Sequence, residues 1–307
     1  MRRQLFIAAG RVASRLPRVR GKTRLLLALY KLLGLEGRHI HVDVRLRRPV
    51  AFDARLDLHA WLERLAFLTG GYEDDTVEFL AGLHRHDGRG GYLLDVGSNI
   101  GLISIPFARI TGRPVFAVEA VPDNVAALRA NVARNGLEGL ITILPFALGD
   151  QRGQVLIQVE GDLLPGEGTG TANILPPDAT WGVQQPVDLA TIDTAGLPPG
   201  CSVIKIDTDG YDLKVLQGGR EFLERERPLI FGEFSAHCLS WHRQTIADVA
   251  AFAAALRYRT LCRVAPGWEF RPYEAGMPFE QDLLLVPEER AAIALAIPRS
   301  GGRGAES

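Results

Sequence analysis

The sequence is poor in cysteine. Cys201, Cys238 and Cys262 are odd in number, far apart and free of any C-x-x-C spacing. That pattern excludes a disulfide framework and a structural zinc site, and makes a reducing cytoplasm the expected compartment. Long apolar runs are also missing: Leu5 to Ala9 is closed off by Arg11 before a secretory h-region forms, and Leu25 to Tyr30 is too short to span a bilayer. Nor is there an excess of one charge. The formal net charge is -1, which offers nucleic acid no general attraction, so no nucleic-acid partner is expected.

What charge there is lies unevenly. Residues 1–38 carry ten Lys or Arg against the single acid Glu36. Within them Leu25, Leu26, Leu29, Leu32 and Leu33 fall at helical spacing, which predicts a basic helix laying its leucines on the body of the protein. A peripheral membrane or partner contact is the competing reading. His39 to Ala54 then alternates apolar and polar residues, as a half-buried strand or hairpin does.

From Tyr92 onward short apolar strands alternate with helical stretches, the grammar of a doubly wound α/β sheet. Strands are expected at Tyr92–Val96, Val115–Val118, Ile141–Phe146, Gly153–Val159, Val187–Ile192, Val203–Ile206 and Leu229–Phe231, with Arg259–Val264 and Leu283–Val286 as a closing hairpin. Helices are expected from about Ile100 to Arg109 and from Pro122 to the stop at Asn135-Gly136. The Gly161 to Asp178 loop is rich in Gly, Pro and Thr, and Arg299 to Ser307 reads as a disordered tail. The 47% apolar fraction supports one main domain at 71–290, preceded by a basic extension at 1–70 and followed by a tail at 291–307.

Two clusters carry chemistry. Asp95-Val96-Gly97-Ser98-Asn99-Ile100-Gly101 follows a buried strand and precedes a helix, where ligands of parallel sheets sit. Its glycines are four apart, and Asn99 and Leu102 stand where a pyrophosphate-binding turn wants glycine. Asp95 would repel a phosphate and instead suits a cofactor carrying an ammonium and a sulfonium. Glu119, with Ala120 beside it, ends the next strand, where an acid can accept from ribose hydroxyls. Asp150 and Ala147 follow the third strand and are placed to meet an adenine.

The second cluster, Lys205-Ile206-Asp207-Thr208-Asp209-Gly210-Tyr211-Asp212, gathers three carboxylates and a lysine at a central strand end, a costly arrangement that points to function. Calcium is disfavoured, because an EF-hand loop wants Gly and Glu where Asp212 and Gly218 stand. A divalent ion bridging Asp207 and Asp209 stays open.

The blocks LLDVGSNIG, FAVEAVPDNVAALRANVARNG, PFALGD, VIKIDTDGYDLKVLQGG and PLIFGEFS, in this order, resemble the FkbM family of methyltransferases. Gly71-Tyr72-Glu73 is similar to the family's opening segment, and Ser98 and Asp209 replace its frequent alanine and glutamate. The resemblance implies a class I methyltransferase fold, a Rossmann-like, mostly parallel sheet with a closing antiparallel strand. It also implies S-adenosylmethionine as cofactor and O-methylation of a sugar, glycan or secondary metabolite.

On that reading Tyr72, Glu73, Asp95, Gly97, Ser98, Asn99, Gly101, Glu119, Ala120, Ala147, Asp150 and Asp207 bind the cofactor, with helix entry the competing role of Tyr72 and Glu73. Asp207 orients or deprotonates the acceptor hydroxyl, Lys205 tunes it, Asp209 or Glu233 assists, and His237 is the competing base. Trp181, Trp241 and Trp268 are candidate stacking surfaces for the acceptor, with ordinary packing as their competing role. The rival functions are a nicotinamide oxidoreductase, which would share Glu119 but lacks glycine at position 99, and a non-catalytic, membrane-associated S-adenosylmethionine-binding protein.

Overall fold

The computed structural model describes residues 1–16, 21–160, 173–174, 183–264, 268–278 and 281–296. In chain order the elements are α1 (Arg2–Ala13), α2 (Lys22–Leu32), β1 (His41–Leu46), β2 (Phe52–Asp57), α3 (Trp61–Thr69), α4 (Asp74–Asp87), β3 (Tyr92–Val96), α5 (Ser104–Thr111), β4 (Val115–Val118), α6 (Pro122–Arg134), β5 (Ile141–Leu144), β6 (Ala147–Leu148), β7 (Gly153–Glu160), β8 (Asn173–Ile174) and β9 (Val183–Ala190). They continue with β10 (Cys201–Ile206), α7 (Asp212–Gln217), α8 (Arg220–Glu226), β11 (Leu229–Glu233), α9 (Ala236–Trp241), α10 (Ile246–Ala255), β12 (Tyr258–Val264), β13 (Glu269–Pro272), β14 (Asp282–Pro287) and α11 (Ala291–Ala296).

The main sheet runs β13-β12-β14-β11-β10-β3-β4-β5. Strands β5, β4, β3, β10 and β11 are parallel, and β14 is inserted antiparallel between β11 and β12. This is the class I methyltransferase order, with β13 added at the edge. The chain winds outward from β3 to β5 and then returns to place β10 on the other side of β3. That reversal opens a crevice at the carboxyl ends of β3 and β10.

Alternate residues of the same strands feed two cores. Leu93, Val203, Leu229 and Leu284 face one layer, while Leu94, Ile204, Ile230 and Leu285 face the other. Both faces of β3 and β10 are therefore covered, and every residue of these two strands is buried. The helices around them are locally specified. Pro122 opens α6 and Gly136, at φ 63°, follows its C-cap, while Thr245 and Asp248 form a capping box on α10.

Several boundaries differ from the sequence reading. The helix expected from Ile100 begins at Ser104, because Ile100 stays in the turn, where its carbonyl accepts from Asn131 Nδ2. The strand expected through Phe146 ends at Leu144, since Ala147–Leu148 joins a separate sheet of order β6-β9-β7-β8 that the sequence had not implied. The expected strand end at Ile192 is instead a short 3-10 turn capped by Thr191. Strands β12 and β14 pair with each other but form no hairpin, as β13 intervenes and returns along the other edge of β12. Of the Gly161 to Asp178 loop only Asn173–Ile174 is described, paired with β7; the tail at Arg299 to Ser307 lies outside the described residues.

The amino-terminal region shares the core of one face. Phe6 packs on Tyr30 and Phe67 at ring separations of 5.0 and 6.3 Å. Helix α2 docks through Leu26 and Tyr30, and the Tyr30 hydroxyl donates to the Leu58 carbonyl at 3.2 Å. Turned that way, it leaves Leu25 and Leu32 facing outward, against the expectation that its leucines would lie on the body. The β1–β2 hairpin is clamped by α6. Asn131 Oδ1 accepts from the Arg55 N–H at 2.8 Å, and Asn135 exchanges two hydrogen bonds with the backbone of Asp53.

Asn131 is fully buried and serves both the hairpin and the Ile100 turn. Its replacement by Ala strands two backbone groups and should lower stability by about 2–3 kcal/mol in urea unfolding. A loss below about 0.5 kcal/mol would mean that the clamp contributes nothing.

Candidate active site

The crevice between β3 and β10 is built on one close approach. Gly97 has φ 78°, and a Cβ there would lie 2.0 Å from the Asp207 carbonyl oxygen, so only glycine lets the two strand ends meet. The turn continues through Asn99, also at positive φ, whose N–H donates to Glu119 Oε2 at 2.8 Å. Glu119 Oε1 accepts from the Val121 N–H at 2.8 Å. The acid at the end of β4 thus binds the turn after β3 to the start of α6. Burial raises its pKa against these N–H donors.

Beneath the turn lies Lys205. Its Nζ is 3.2 Å from Asp207 Oδ2, 3.5 Å from Asp95 Oδ1 and 3.2 Å from the Gly97 carbonyl oxygen. Burial opposes its charge, but the carboxylates of Asp207, Asp95 and Glu73 outweigh that and raise its pKa. Asp95 is wholly buried and also accepts from the Ser104 hydroxyl at 2.5 Å.

One cavity opens over this platform, and Glu73, Glu119, Asp207, Asp209 and Glu233 line it together with Lys205. Five carboxylates face a single ammonium. The acids pay in proton affinity: burial, then Asp207, Asp212 and Glu233, push Asp209 up to about 8. Burial, then Asp207, Asp282 and Glu73, push Glu233 up to about 7, although water still reaches it at the cavity mouth. Glu73, although water still reaches part of its side chain, is raised by desolvation of its carboxyl among the cavity groups and by Asp207. The Tyr72 phenol is raised by burial and by Glu73 and Asp207.

Of the residues singled out from the sequence, Tyr72, Glu73, Gly97, Ser98, Asn99, Glu119, Lys205, Asp207, Asp209 and Glu233 line this cavity. Others do not. Asp95, expected to face the cofactor directly, is sealed under the turn and reaches the cavity only through Lys205. Gly101, at φ 93°, makes room for Leu128 and Ile105 of the neighbouring helices. Ala120 is not in the lining, and Ala147 is drawn away by its pairing with β9. Asp150 is exposed and ion-paired to Lys214 at 3.2 Å.

His237 is carried outward by α9, whose N-cap Ser235 accepts from the Cys238 N–H; its ring is exposed and stands 5.3 Å from that of Trp241. Trp268 packs on Phe79 at 4.7 Å under the Arg263 guanidinium, and Trp181 lies outside the described residues. Among the described residues no group of three or more His, Cys, Asp or Glu side chains is disposed to hold a metal, and the Asp207 carboxylate is turned to Lys205.

Four lining residues escaped the sequence reading, and Asp212, an acid of its second cluster, proves to be an organiser of the loop. Leu62, Leu102, Ile103 and Asn124 complete the walls, and Leu62 comes from α3, in the region read as an extension. Asp212 accepts from the N–H groups of Thr208 and Gly210 and from the Thr208 hydroxyl at 2.8–2.9 Å, and so holds the loop that carries Asp209. An acid two residues beyond a glycine turn, at the first position of a helix, was the available signal.

No curated protein matches the sequence. Among solved structures, methyltransferase FkbM from Methylobacillus flagellatus KT is 15% identical at a TM-score of 0.43, covering 91% of this chain and 58% of its own. The chain therefore spans under two thirds of that relative's length. An RNA methyltransferase from Salinibacter ruber, in complex with S-adenosyl-L-homocysteine, is 19% identical at a TM-score of 0.30, covering 52% of this chain and 73% of its own. The family model of the methyltransferase FkbM domain matches residues 95–259, a span that begins at Asp95 near the end of β3 and holds β4, β10 and β11 with the acids at their ends. By that match over more than half its length, this chain belongs to the FkbM methyltransferase domain family.

Proposed function

We propose that the protein is an S-adenosylmethionine-dependent methyltransferase acting on a hydroxyl of a sugar, glycan or secondary metabolite. The observation that carries this reading is the unmatched negative charge of the cavity, five carboxylates lining it against Lys205. A sulfonium with an adjacent ammonium supplies the missing positive charge. Glu119 takes the Asn99 N–H on Oε2 and the Val121 N–H on Oε1, with Asn124 Nδ2 donating to Oε1 at 3.5 Å, and the lone pair left on Oε2 can accept from a ribose hydroxyl. The same acids repel a pyrophosphate, which argues against the nicotinamide reading.

The cofactor supplies a methyl group already activated by the positive sulfur. What remains for the protein is alignment and removal of the acceptor's proton. Asp207, engaged by Lys205, is placed to accept a hydrogen bond from the acceptor hydroxyl and orient it. Glu233, at about 7, has the proton affinity a general base needs near neutrality, and Asp209 stands beside it as a second proton store. Tyr72, Leu62, Leu102 and Ile103 form a less polar wall that would exclude water from the reacting oxygen.

Two measurements test this. Below about 7 to 8 the carboxyls of Glu233 and Asp209 hold protons, so a cation must displace them. Calorimetric affinity for S-adenosylmethionine should therefore rise with pH through that window, by up to about tenfold per pH unit, with proton release. S-adenosylhomocysteine, which lacks the sulfonium charge, should show a shallower slope; equal slopes would contradict the electrostatic reading. In the second, Glu233→Gln should reduce kcat by about 100-fold or more and remove the rise of kcat with pH near neutrality, the acidic limb of the profile. A matching loss of cofactor affinity would instead make Glu233 a binding group.

A further inference from the structure

We infer that α1 and α2 form a docking surface for a lipid bilayer bearing anionic headgroups. Among the described residues seven large apolar side chains are exposed, and six of them, Met1, Leu5, Val12, Leu16, Leu25 and Leu32, belong to this one region. Along α1 and the turn after it, Met1, Leu5, Ala8, Val12 and Leu16 recur at intervals of four, three, four and four, which is a single stripe of a helix. The opposite side of α1 carries Phe6, Gly10 and Ala13 into the core. The helix is thus apolar on two sides, only one of which the protein covers. Helix α2 repeats the arrangement: Leu26 and Tyr30 are buried, whereas Leu25 and Leu32 are 73% and 82% exposed.

Charge identifies the occupant. Arg2, Arg15 and Arg24 are exposed around these stripes and pair with no carboxylate among the described residues. Lys22 donates to the carbonyls of Ala13 and Leu16 and so ties the end of α1 to the start of α2. Leucines bordered by arginines match the boundary between acyl chains and anionic headgroups, where apolar burial and basic charge act together. A nucleic acid would use the arginines and leave the leucine stripe in water. No helix among the described residues is long and apolar enough to cross a membrane, so the contact is one of lying on the surface.

The test is flotation of the full chain with vesicles of phosphatidylcholine mixed with phosphatidylglycerol, against vesicles of phosphatidylcholine alone. Binding is expected to the mixed vesicles and to weaken as salt is raised. Substituting Leu5, Val12, Leu25 and Leu32 together by Ser, or Arg2, Arg15 and Arg24 together by Glu, should each weaken it at least about tenfold. All seven side chains are exposed, so circular dichroism should show both variants folded. Failure to bind the mixed vesicles, or equal binding by the variants, overturns the inference. So does sedimentation showing a dimer that the serine variant disperses, which would make the stripe a contact between copies. RNA binding without vesicle binding would give the surface to nucleic acid.

Discussion

One buried ammonium holds the site together. Lys205 sits in β10, a strand covered on both faces, where an unpaired charge would be strongly unfavourable. It is tolerated because its Nζ meets Asp207, Asp95 and the Gly97 carbonyl at once. The dependence is mutual: Asp95 is sealed from water, and Lys205 supplies the positive charge that compensates it. This triad joins β3 to β10 where the winding reverses, and the absence of a Cβ at Gly97 lets the strand ends close over it. With Lys205 spent on this structural task, the carboxylates above it find no adequate counter-charge within the cavity. The same pairing that stabilises the sheet leaves the site attractive to a cation.

Backbone strain is concentrated at the same place. Among the described residues six other than glycine have positive φ, and three of them, Glu73, Asn99 and Asp209, line the cavity. Such conformations are unfavourable by about 1–3 kcal/mol each and persist only where the surroundings impose them. Each is imposed here by identifiable bonds. The Asn99 N–H is taken by Glu119, and Asp209 lies within the loop that Asp212 ties through Thr208 and Gly210. Glu73 is the N-cap of α4, and its carbonyl accepts from the Val77 N–H at 3.1 Å. Carboxylates of like charge are thereby kept close together rather than splayed into water.

The parallel strands and the acids at their tips were legible because both signals are local. Strand apolarity and a glycine turn before a helix are read within a few residues, and Glu119 and Asp207 follow their strands directly. What was not legible depends on pairings between distant segments. Ala147 and Asp150 follow β5 in sequence, yet β9, some forty residues further on, decides where they go. Asp95 has the same sequence context whether it faces a ligand or a lysine, and only the register of β3 against β10 selects the lysine. His237 follows a strand-end acid by four residues, and the capped helix that carries it turns it outward. Leu62 carries no signal at all, because a leucine on an amphipathic helix reads as core.

Leu62 also bears on how the amino-terminal region relates to the site. Helices α1 and α2 both pack on α3, through Phe6 against Phe67 and through the Arg64 guanidinium 4.6 Å from the Tyr30 ring centre. Helix α3 in turn presents Leu62 to the cavity, and Tyr72 and Glu73 follow it by a short turn into α4. The surface that carries the exposed leucines and the cavity wall at Leu62 are therefore joined through one packed layer. Close-packed interiors resist deformation, so a force that orients α1 and α2 orients that wall as well. The region that composition alone marks as a basic appendage is, in its packing, part of the frame that shapes one wall of the cavity.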